Sequence, residues 1–427
     1  MKRGTTLPTE TPDIKHLVDS TLLSLHTQSQ FNPTTPSVTA APVVTLVDTI
    51  ITDAAKLNAS DIHIEPFGDK IRIRIRVDGV LQELCNPLPG QLLSFIVSRL
   101  KVISHLNNVE YRTPQDGRFS FPFNGHELDI RVSTMPLLNG EKVVLRLLNL
   151  TQQLLTISEL DFSPTNEQLF RSWCHKPYGL ILNVGPVGSG KTTTLYSALS
   201  ELNNLSRNIV TIEDPVEYQL AGINQIQVNA KANLSFSVAL RSVLRQDPDI
   251  VMLGEIRDTD TAEMAIRAAL TGRLLFSTLH TGDAVRAIFR LIDMGAVPYL
   301  LSASLVGIMA QRLVRRLCPY CAQKRPVLPD SAEATILGTA YTPQLELCEA
   351  TGCPKCNGTG YKGRIAIHEL LPITEELRQA ILQKLDLHTF QQIAQQQGMR
   401  TLLQDGTEKA LAGKTTLAEV RRVIYGD

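Results

Sequence analysis

The sequence predicts an α/β protein in two folded parts: a smaller α+β domain, then a larger domain of strands alternating with helices on an open parallel sheet. Three observations predict it. Short apolar runs at 180–184, 209–212, 250–253 and 274–278 alternate with helical stretches, and each is closed by polar residues. The first run enters a glycine-rich loop that opens a helix. Ahead of it lie strands of strict period two, such as Ile71-Arg72-Ile73-Arg74-Ile75-Arg76-Val77.

Length and charge narrow the function classes. A chain of 427 residues exceeds one core, and a hydrophobic content of 43% excludes wholesale disorder. Lys+Arg and Asp+Glu both number 42, so no overall basic field points to nucleic acid, and none is expected as a partner. The longest apolar stretch, 297–310, contains Ser302, Ser304 and Gly307 and falls short of the roughly 18 residues of a membrane span. The amino terminus has basic residues but no apolar core after them, unlike a secretory signal. A cytoplasmic protein is expected, whose seven cysteines serve as thiols or metal ligands.

In chain order, residues 1–42 are rich in Thr, Ser, Pro and Gln and read as a flexible leader. One short helix is allowed at 14–25, where Leu17, Leu22 and Leu25 share a face. The α+β domain is expected over 43–150. It opens on a helix with Val43, Leu46, Val47, Ile50, Ile51, Ala54 and Leu57 on one side. Strands at 61–65 and 71–77 follow, and Asp78-Gly79 marks a hairpin. The second strand turns Arg72, Arg74 and Arg76 outward, as a solvated face or as a contact for an anion or partner. A helix at 91–106 and strands at 117–123, 127–133 and 142–148 complete the domain. Beyond a linker at 151–165, the parallel-sheet domain is expected over 166–316, a tetracysteine module over 317–370 and a helical region over 371–427. Helices are expected there at 375–385, 389–397, 402–412 and 416–423.

The loop after the first buried run reads Gly185-Pro186-Val187-Gly188-Ser189-Gly190-Lys191-Thr192-Thr193, which fits G-x-x-x-x-G-K-[ST]. Glycines let successive backbone N–H groups curl around phosphate oxygens, and the helix start adds its positive dipole end. Lys191 is placed to reach the β- and γ-phosphates of ATP, and Thr192 to offer a hydroxyl to Mg²⁺. The polar ends of the other buried runs are where an open parallel sheet gathers ligands. Glu255 follows the run at 250–253, in the position of an acid that acts through the metal's water shell or as a general base. Glu213, Asp214 and Glu217 crowd a second strand end, which suggests a nearby cation and places Glu213 or Glu217 near Mg²⁺ or the attacking water. His280 closes the run at 274–278 and is a candidate sensor of the γ-phosphate.

Cys318-Pro-Tyr-Cys321 and Cys353-Pro-Lys-Cys356 are two C-x-x-C pairs separated by 31 residues. Four thiolates complete a tetrahedral Zn²⁺ site with no position left for catalysis. A redox-active pair is the alternative reading. Cys348 lies near the second pair as a substitute ligand, and Cys85 and Cys174 read as buried thiols.

The segments GPVGSGKTTTLY, TIEDPVEY, LRQDPDIVMLGEIRD and STLHTGDA resemble the Walker A, Asp, Walker B and His boxes of the secretion ATPases, the motors of type II secretion and type IV pilus assembly. The resemblance runs from about residue 59 onward and includes ASDIHIEP, RVDGVL, PQDGR, DIRVSTMP and GEKVVLRLL. It implies a RecA-like P-loop core preceded by a PAS-like domain, a homo-hexamer binding ATP between the domains, and an inner-membrane platform protein as partner. It also implies phosphate contacts by Arg118 and Arg131, and nucleotide or interface roles for Arg241, Arg245, Arg257, Arg290 and Arg364. It favours zinc, because the assembly members carry the tetracysteine insertion and the retraction motors do not. Two features depart from the family. The His box opens Thr271-Gly272-Arg273 where TGH is usual, so an altered turnover rate is expected, and the leader is short, so docking is expected to differ. The function implied is an ATPase powering pilus or pseudopilus assembly at the cytoplasmic face of the inner membrane. The competing readings are a nucleic-acid translocase on the same core and a nucleotide-binding scaffold without turnover.

Overall fold

The structure, a computed structural model, describes residues 41–149 and 154–426, together with 14, 17–19 and 22. The chain divides into two compact units, Met1–Gln152 and Gln153–Asp427. Among the described residues no helix is long and apolar enough to cross a membrane.

The first unit holds α1 (Ala41–Lys56), β1 (Asp61–Phe67), β2 (Lys70–Val77), β3 (Val80–Glu83), β4 (Leu88–Pro89), α2 (Leu93–Ile103), β5 (Gln115–Phe123), β6 (His126–Leu137) and β7 (Gly140–Asn149). The strands form one antiparallel sheet in the order β3-β2-β1-β7-β6-β5, with β4 added beside β2. Period-two alternation drives the layering. Ile62, Ile64, Ile71, Ile73, Ile75, Val143 and Leu145 turn to one face, where they meet Leu46, Ile50 and Ile51 of α1 and Ile96 and Leu100 of α2. Each such side chain contributes about 1.5–3 kcal/mol when fully buried. The helix expected at 14–25 falls largely outside the described residues, and of it Ile14, Leu17 and Val18 are helical and buried in this same core.

The second unit holds α3 (Pro164–Cys174), β8 (Gly179–Val184), α4 (Lys191–Leu202), β9 (Ile209–Glu213), β10 (Asn224–Gln227), α5 (Phe236–Val243), β11 (Ile250–Leu253), α6 (Thr259–Leu270), β12 (Leu274–Leu279), α7 (Ala284–Asp293), α8 (Pro298–Ser304) and β13 (Leu305–Leu317). After β13 come β14 (Ala322–Pro326), α9 (Ala332–Leu337), β15 (Glu346–Ala350), β16 (Tyr361–Pro372), α10 (Glu375–Leu382), α11 (Leu387–Gln396), α12 (Leu402–Leu411) and α13 (Leu417–Tyr425). The main sheet runs β10-β9-β11-β12-β8-β13-β16, parallel throughout except for the antiparallel pair β13 and β16. Helices cover both faces. Leu180, Leu182 and Val184 point toward the core shared with α5, α6 and α7, and Ile181 points to the opposite core with Phe170, Trp173, Leu195 and Leu199.

The four apolar runs become neighbouring strands in the order β9-β11-β12-β8. The other main-sheet strands were not legible in the runs. Pro298 starts α8, so the apolar stretch at 297–310 divides into that helix and the first half of β13. The chain leaves β13 at Cys318, makes the separate β14/β15 hairpin and returns as β16. The last part of the expected cysteine segment is therefore a strand of the main sheet.

Candidate functional site

The loop from Gly185 to Gly190 joins β8 to α4. Gly188 and Gly190 have φ of 76° and 87°, the left-handed region, and Gly190 caps α4 without a side-chain hydrogen bond. The first amides of α4 thus face the loop unclaimed by a capping side chain. Ser189 is buried, and its hydroxyl has no partner among the described residues. Lys191 Nζ donates to the carbonyls of Gly185 (2.7 Å) and Pro186 (2.9 Å). Burial, with the charge of Arg312, pushes the Lys191 ammonium down to about 8, while Glu255 opposes the shift. These are the features of an anion cradle, and Thr192 stands half-buried beside it.

One residue holds this loop from behind. Gln311 on β13 is buried, and its Oε1 accepts from Asn183 Nδ2 (3.0 Å) and Thr194 Oγ1 (2.9 Å). A Cβ at Gly185 would come within 2.6 Å of the Gln311 carbonyl oxygen, and one at Gly190 within 2.8 Å of Gln311 Nε2. The first and last glycines of the motif are therefore demanded by packing against Gln311 as well as by the ligand. Nothing in the motif itself announces Gln311. The available signal was a polar pair, Gln311-Arg312, interrupting an apolar strand.

Glu255 and His280 rise from adjacent strands, since β11 and β12 pair with Leu253 opposite Ser277. The hydroxyls of Ser277 and Thr278 donate to the carbonyls of Leu253 (2.8 Å) and Gly254 (2.7 Å), tying the two strand ends together. His280 Nε2 is 3.4 Å from Glu255 Oε2, and Arg257 forms an ion pair with the other carboxylate oxygen. Arg257 also reaches Asp214 at 3.7 Å.

Glu213 has different surroundings. It is buried, and its carboxylate accepts hydrogen bonds from Tyr196, from Thr211 Oγ1 (2.6 Å) and from Gln225 Nε2 (3.2 Å). Burial and the neighbouring Glu213 push the Tyr196 phenol well above its ordinary range. The crowded acids at this strand end are thus accommodated by hydroxyl and amide donors and by Arg257. Glu217 is half-buried nearby in sequence.

In the first unit, Arg118 on β5 stands directly opposite Arg131 on β6, and Arg131 opposite Arg146 on β7. The row continues through Asp61 to Arg76. Asp61 pairs with Arg146 (3.3 Å) and Arg76 (3.8 Å). The neighbouring outward arginines of β2 are also engaged, because Glu65 gathers Arg72 (3.3 Å), Arg74 (2.8 Å) and Lys142 (2.9 Å).

Of the other arginines, Arg245 donates to the carbonyl of Arg241 (3.0 Å), Arg290 lines an open pocket with Arg286 and Phe289, and Arg364 faces Arg315 across β16 and β13. Arg273 precedes β12, whereas His280 follows it. A six-residue strand, about 20 Å long, separates them, so the departure from the usual TGH lies at the opposite end of β12 from His280.

Cys318, Cys321, Cys353 and Cys356 converge, with all four sulfurs within 4.8 Å of one another. Three separations are 3.9 Å (Cys318 to Cys353), 3.8 Å (Cys321 to Cys356) and 3.7 Å (Cys353 to Cys356). A tetrahedral ion with metal–sulfur bonds of about 2.3 Å needs sulfur–sulfur edges of about 3.8 Å, so the thiols fit a metal ion. Burial raises the Cys356 thiol, but the amides of Cys353 and Gly360, both 3.2 Å from its sulfur, outweigh this and bring it below the usual thiol range. Cys348 lies outside the cluster, on β15, Cys174 is buried and Cys85 is half-buried.

Comparison with known proteins agrees with this geometry. A family profile described as "Type II/IV secretion system protein" matches residues 37–422. The type II secretion system protein E of Pectobacterium carotovorum is 50% identical over 384 residues, covering 90% of this chain and 76% of that protein. The type II secretion system ATPase E of Vibrio cholerae is 46% identical over 383 residues, covering 90% and 75%. Among solved structures, the pilus retraction motor PilT with bound ADP is 28% identical, with a TM-score of 0.56 over 87% of this chain and 95% of that one. The ATPase DotB of Legionella pneumophila, at 22% identity and a TM-score of 0.66 over 92% and 98%, shares the fold. Because the profile spans the arginine-bearing sheet, the phosphate-binding loop and the tetracysteine hairpin alike, the chain belongs to the type II/IV secretion system protein family.

Proposed function

We propose that this protein is an ATPase motor of type II secretion or type IV pilus assembly, acting as a homo-hexamer against an inner-membrane platform protein from the cytoplasmic side. The observation that carries the reading is the convergence of an anion-cradling loop with an acid and a histidine from neighbouring strand ends. The relatives named as secretion proteins and the ADP-bound PilT support it.

In this reading the loop amides and Lys191 hold the phosphates, and Thr192 offers its hydroxyl to Mg²⁺. Mg²⁺, when bound, offsets phosphate charge. Glu255 takes the proton of the attacking water, with His280 orienting its carboxylate. Glu213, whose oxygens are engaged by Tyr196, Thr211 and Gln225, supports the strand end from inside, and Glu217 remains the second candidate acid there. Arg118 and Arg131 supply cationic compensation with fixed, planar donors. The four cysteines hold Zn²⁺ as a structural ion, stiffening the hairpin that leaves the main sheet.

The test is phosphate release by the purified full chain. Wild-type protein turns over ATP, and Lys191→Ala does not while keeping its circular dichroism spectrum. Turnover that survives Lys191→Ala refutes the assignment.

A further inference from the structure

Arg312 belongs to none of the sequence motifs. Its guanidinium binds two carbonyls, that of Gly282 and that of the preceding residue on β13, Gln311. Nη2 donates to Gly282 (2.6 Å) and Nη1 to Gln311 (2.9 Å). Gly282 lies in the short loop that begins at His280 and ends at Asp283, the N-cap of α7. The Gln311 carbonyl is the oxygen packed against Gly185, and Arg312 Nη1 is itself 3.1 Å from where a Gly185 Cβ would lie. One side chain, packed against Gly185 at the start of the phosphate-binding loop, therefore bonds the loop behind His280.

The far end of that second loop is also tied. Glu369 is buried, and its two oxygens accept from the backbone N–H of Ala284 (2.9 Å) and of Leu402 (3.3 Å). Residues 280–283 are thus gripped at Gly282 by Arg312 and at Ala284 by Glu369. Among the described residues no carboxylate lies within ion-pair distance of Arg312. Asp283 and Glu369 influence its charge only through space, and burial lowers its pKa. Partly burying a guanidinium against carbonyl oxygens alone is an expensive way to tie a loop. It is well suited to fixing a distance, because the planar fork presents its donors in rigid directions that a lysine ammonium cannot reproduce.

We propose that Arg312 is a positioning residue for ATP hydrolysis, setting His280, and through it Glu255, at a defined distance from the phosphate-binding loop. The inference rests on the ATPase reading above. Displacing a group by about 1 Å costs on the order of a hundredfold in rate, so one lost tether is enough to matter.

Arg312→Gln and Arg312→Lys, made in the full chain and assayed in its assembled state, test it. Both variants are expected to bind ADP within about threefold of wild type, a difference below 1 kcal/mol. Their kcat is expected to fall about tenfold to a hundredfold with little change in KM. Without nucleotide, amides over 279–286 should exchange hydrogen faster than in wild type. Adding His280→Ala to Arg312→Gln should cost little more, because both changes break one linkage. A merely structural arginine would lower the melting temperature and leave kcat in the folded fraction untouched.

Wild-type rates in either folded variant, or a rate loss that multiplies with that of His280→Ala, would overturn the proposal. So would a loss of nucleotide affinity as large as the loss in kcat/KM, which would make Arg312 a direct ligand. If Arg312→Gln does not fold, Arg312→Lys and the exchange measurement decide. A wild-type protein that binds but does not hydrolyse ATP takes down the ATPase reading and this proposal together. A hydrolysing wild type matched by Arg312→Gln takes down only the proposal.

Discussion

His280 Nε2 stands 3.4 Å from Glu255 Oε2, and the two residues come from the ends of adjacent parallel strands. The remaining face of the carboxylate is held by Arg257. Such a carboxylate is fixed in direction by two cationic or donor groups, which suits a base that must meet one water in one orientation. Ser277 and Thr278 make the pairing inevitable once the strands are in register, since their hydroxyls bond the carbonyls just before Glu255.

Glu255→Gln keeps the shape and removes the basic oxygen. It is expected to lower kcat about 10²- to 10⁴-fold, the range of a general base, while nucleotide affinity stays near wild type. His280→Ala should lower kcat less, because it loosens Glu255 without removing it. Single-turnover hydrolysis beside equilibrium binding of a fluorescent nucleotide separates the two effects. Loss of binding in Glu255→Gln equal to its loss of rate would assign it to metal binding instead.

Lys191 has its ammonium pushed down to about 8, by burial first and by Arg312 second. The sign follows from the ligand's charge. Phosphate favours the protonated form, so nucleotide binding raises this pKa and, above about pH 8, takes up a proton. Affinity for ATP should be flat from pH 6.5 to about 7.5 and then weaken with rising pH, by at most about tenfold per unit. Titration calorimetry at pH 9 in buffers of different ionisation enthalpy should report net proton uptake. Net release would contradict a lysine that must regain its proton.

The sequence made some of this legible and concealed the rest for physical reasons. The phosphate-binding loop was readable because chemistry demands each residue type at a fixed spacing from Gly185 to Thr192. Glu255 and His280 were readable as strand-end residues, though their contact depended on the strand order. Gln311 and Arg312 were not, because an inward-turned polar residue acts through partners far away in the chain, here Asn183, Thr194 and Gly282. Glu213 shows the converse. Three acids in five residues suggested a cation, but the carboxylate is satisfied by Tyr196 and Gln225, brought in by α4 and β10. β16 was not legible because the cysteine spacing marks a module of its own, whereas the apolar Ile365-Ala366-Ile367 within that span completes the main sheet.

Removing the metal should destabilise the hairpin more than the site. The four cysteines sit at the places where the chain leaves β13 and returns to β16, so without an ion their sulfurs take protons back and the bonds that tie this junction together are lost. The purified protein is expected to carry one Zn²⁺ per chain by elemental analysis. Cys353→Ser or a strong chelator should release it and lower the melting temperature by several degrees. ATP affinity, set by the loop around Lys191, should change little. Full zinc content in Cys353→Ser would mean that another residue, such as Cys348, can complete the site.

Arg118 and Arg131 face each other across β5 and β6, and like charges directly opposed weaken a sheet by a few tenths of a kcal/mol up to about 1 kcal/mol. Replacing Arg118 should therefore leave the first unit as stable or slightly more stable. If the pair compensates phosphate charge, the same substitution must cost activity. Arg118→Ala is expected to raise or preserve the melting temperature while lowering kcat about tenfold or more, as loss of a transition-state cation does, and Arg131→Ala is expected to lower kcat to a similar extent. Arg131→Lys should restore little, since a point charge lacks the planar fork. Thermal denaturation and steady-state hydrolysis on the same samples check both halves. Arginine pairs kept only for folding would show the reverse, a lower melting temperature with an unchanged rate.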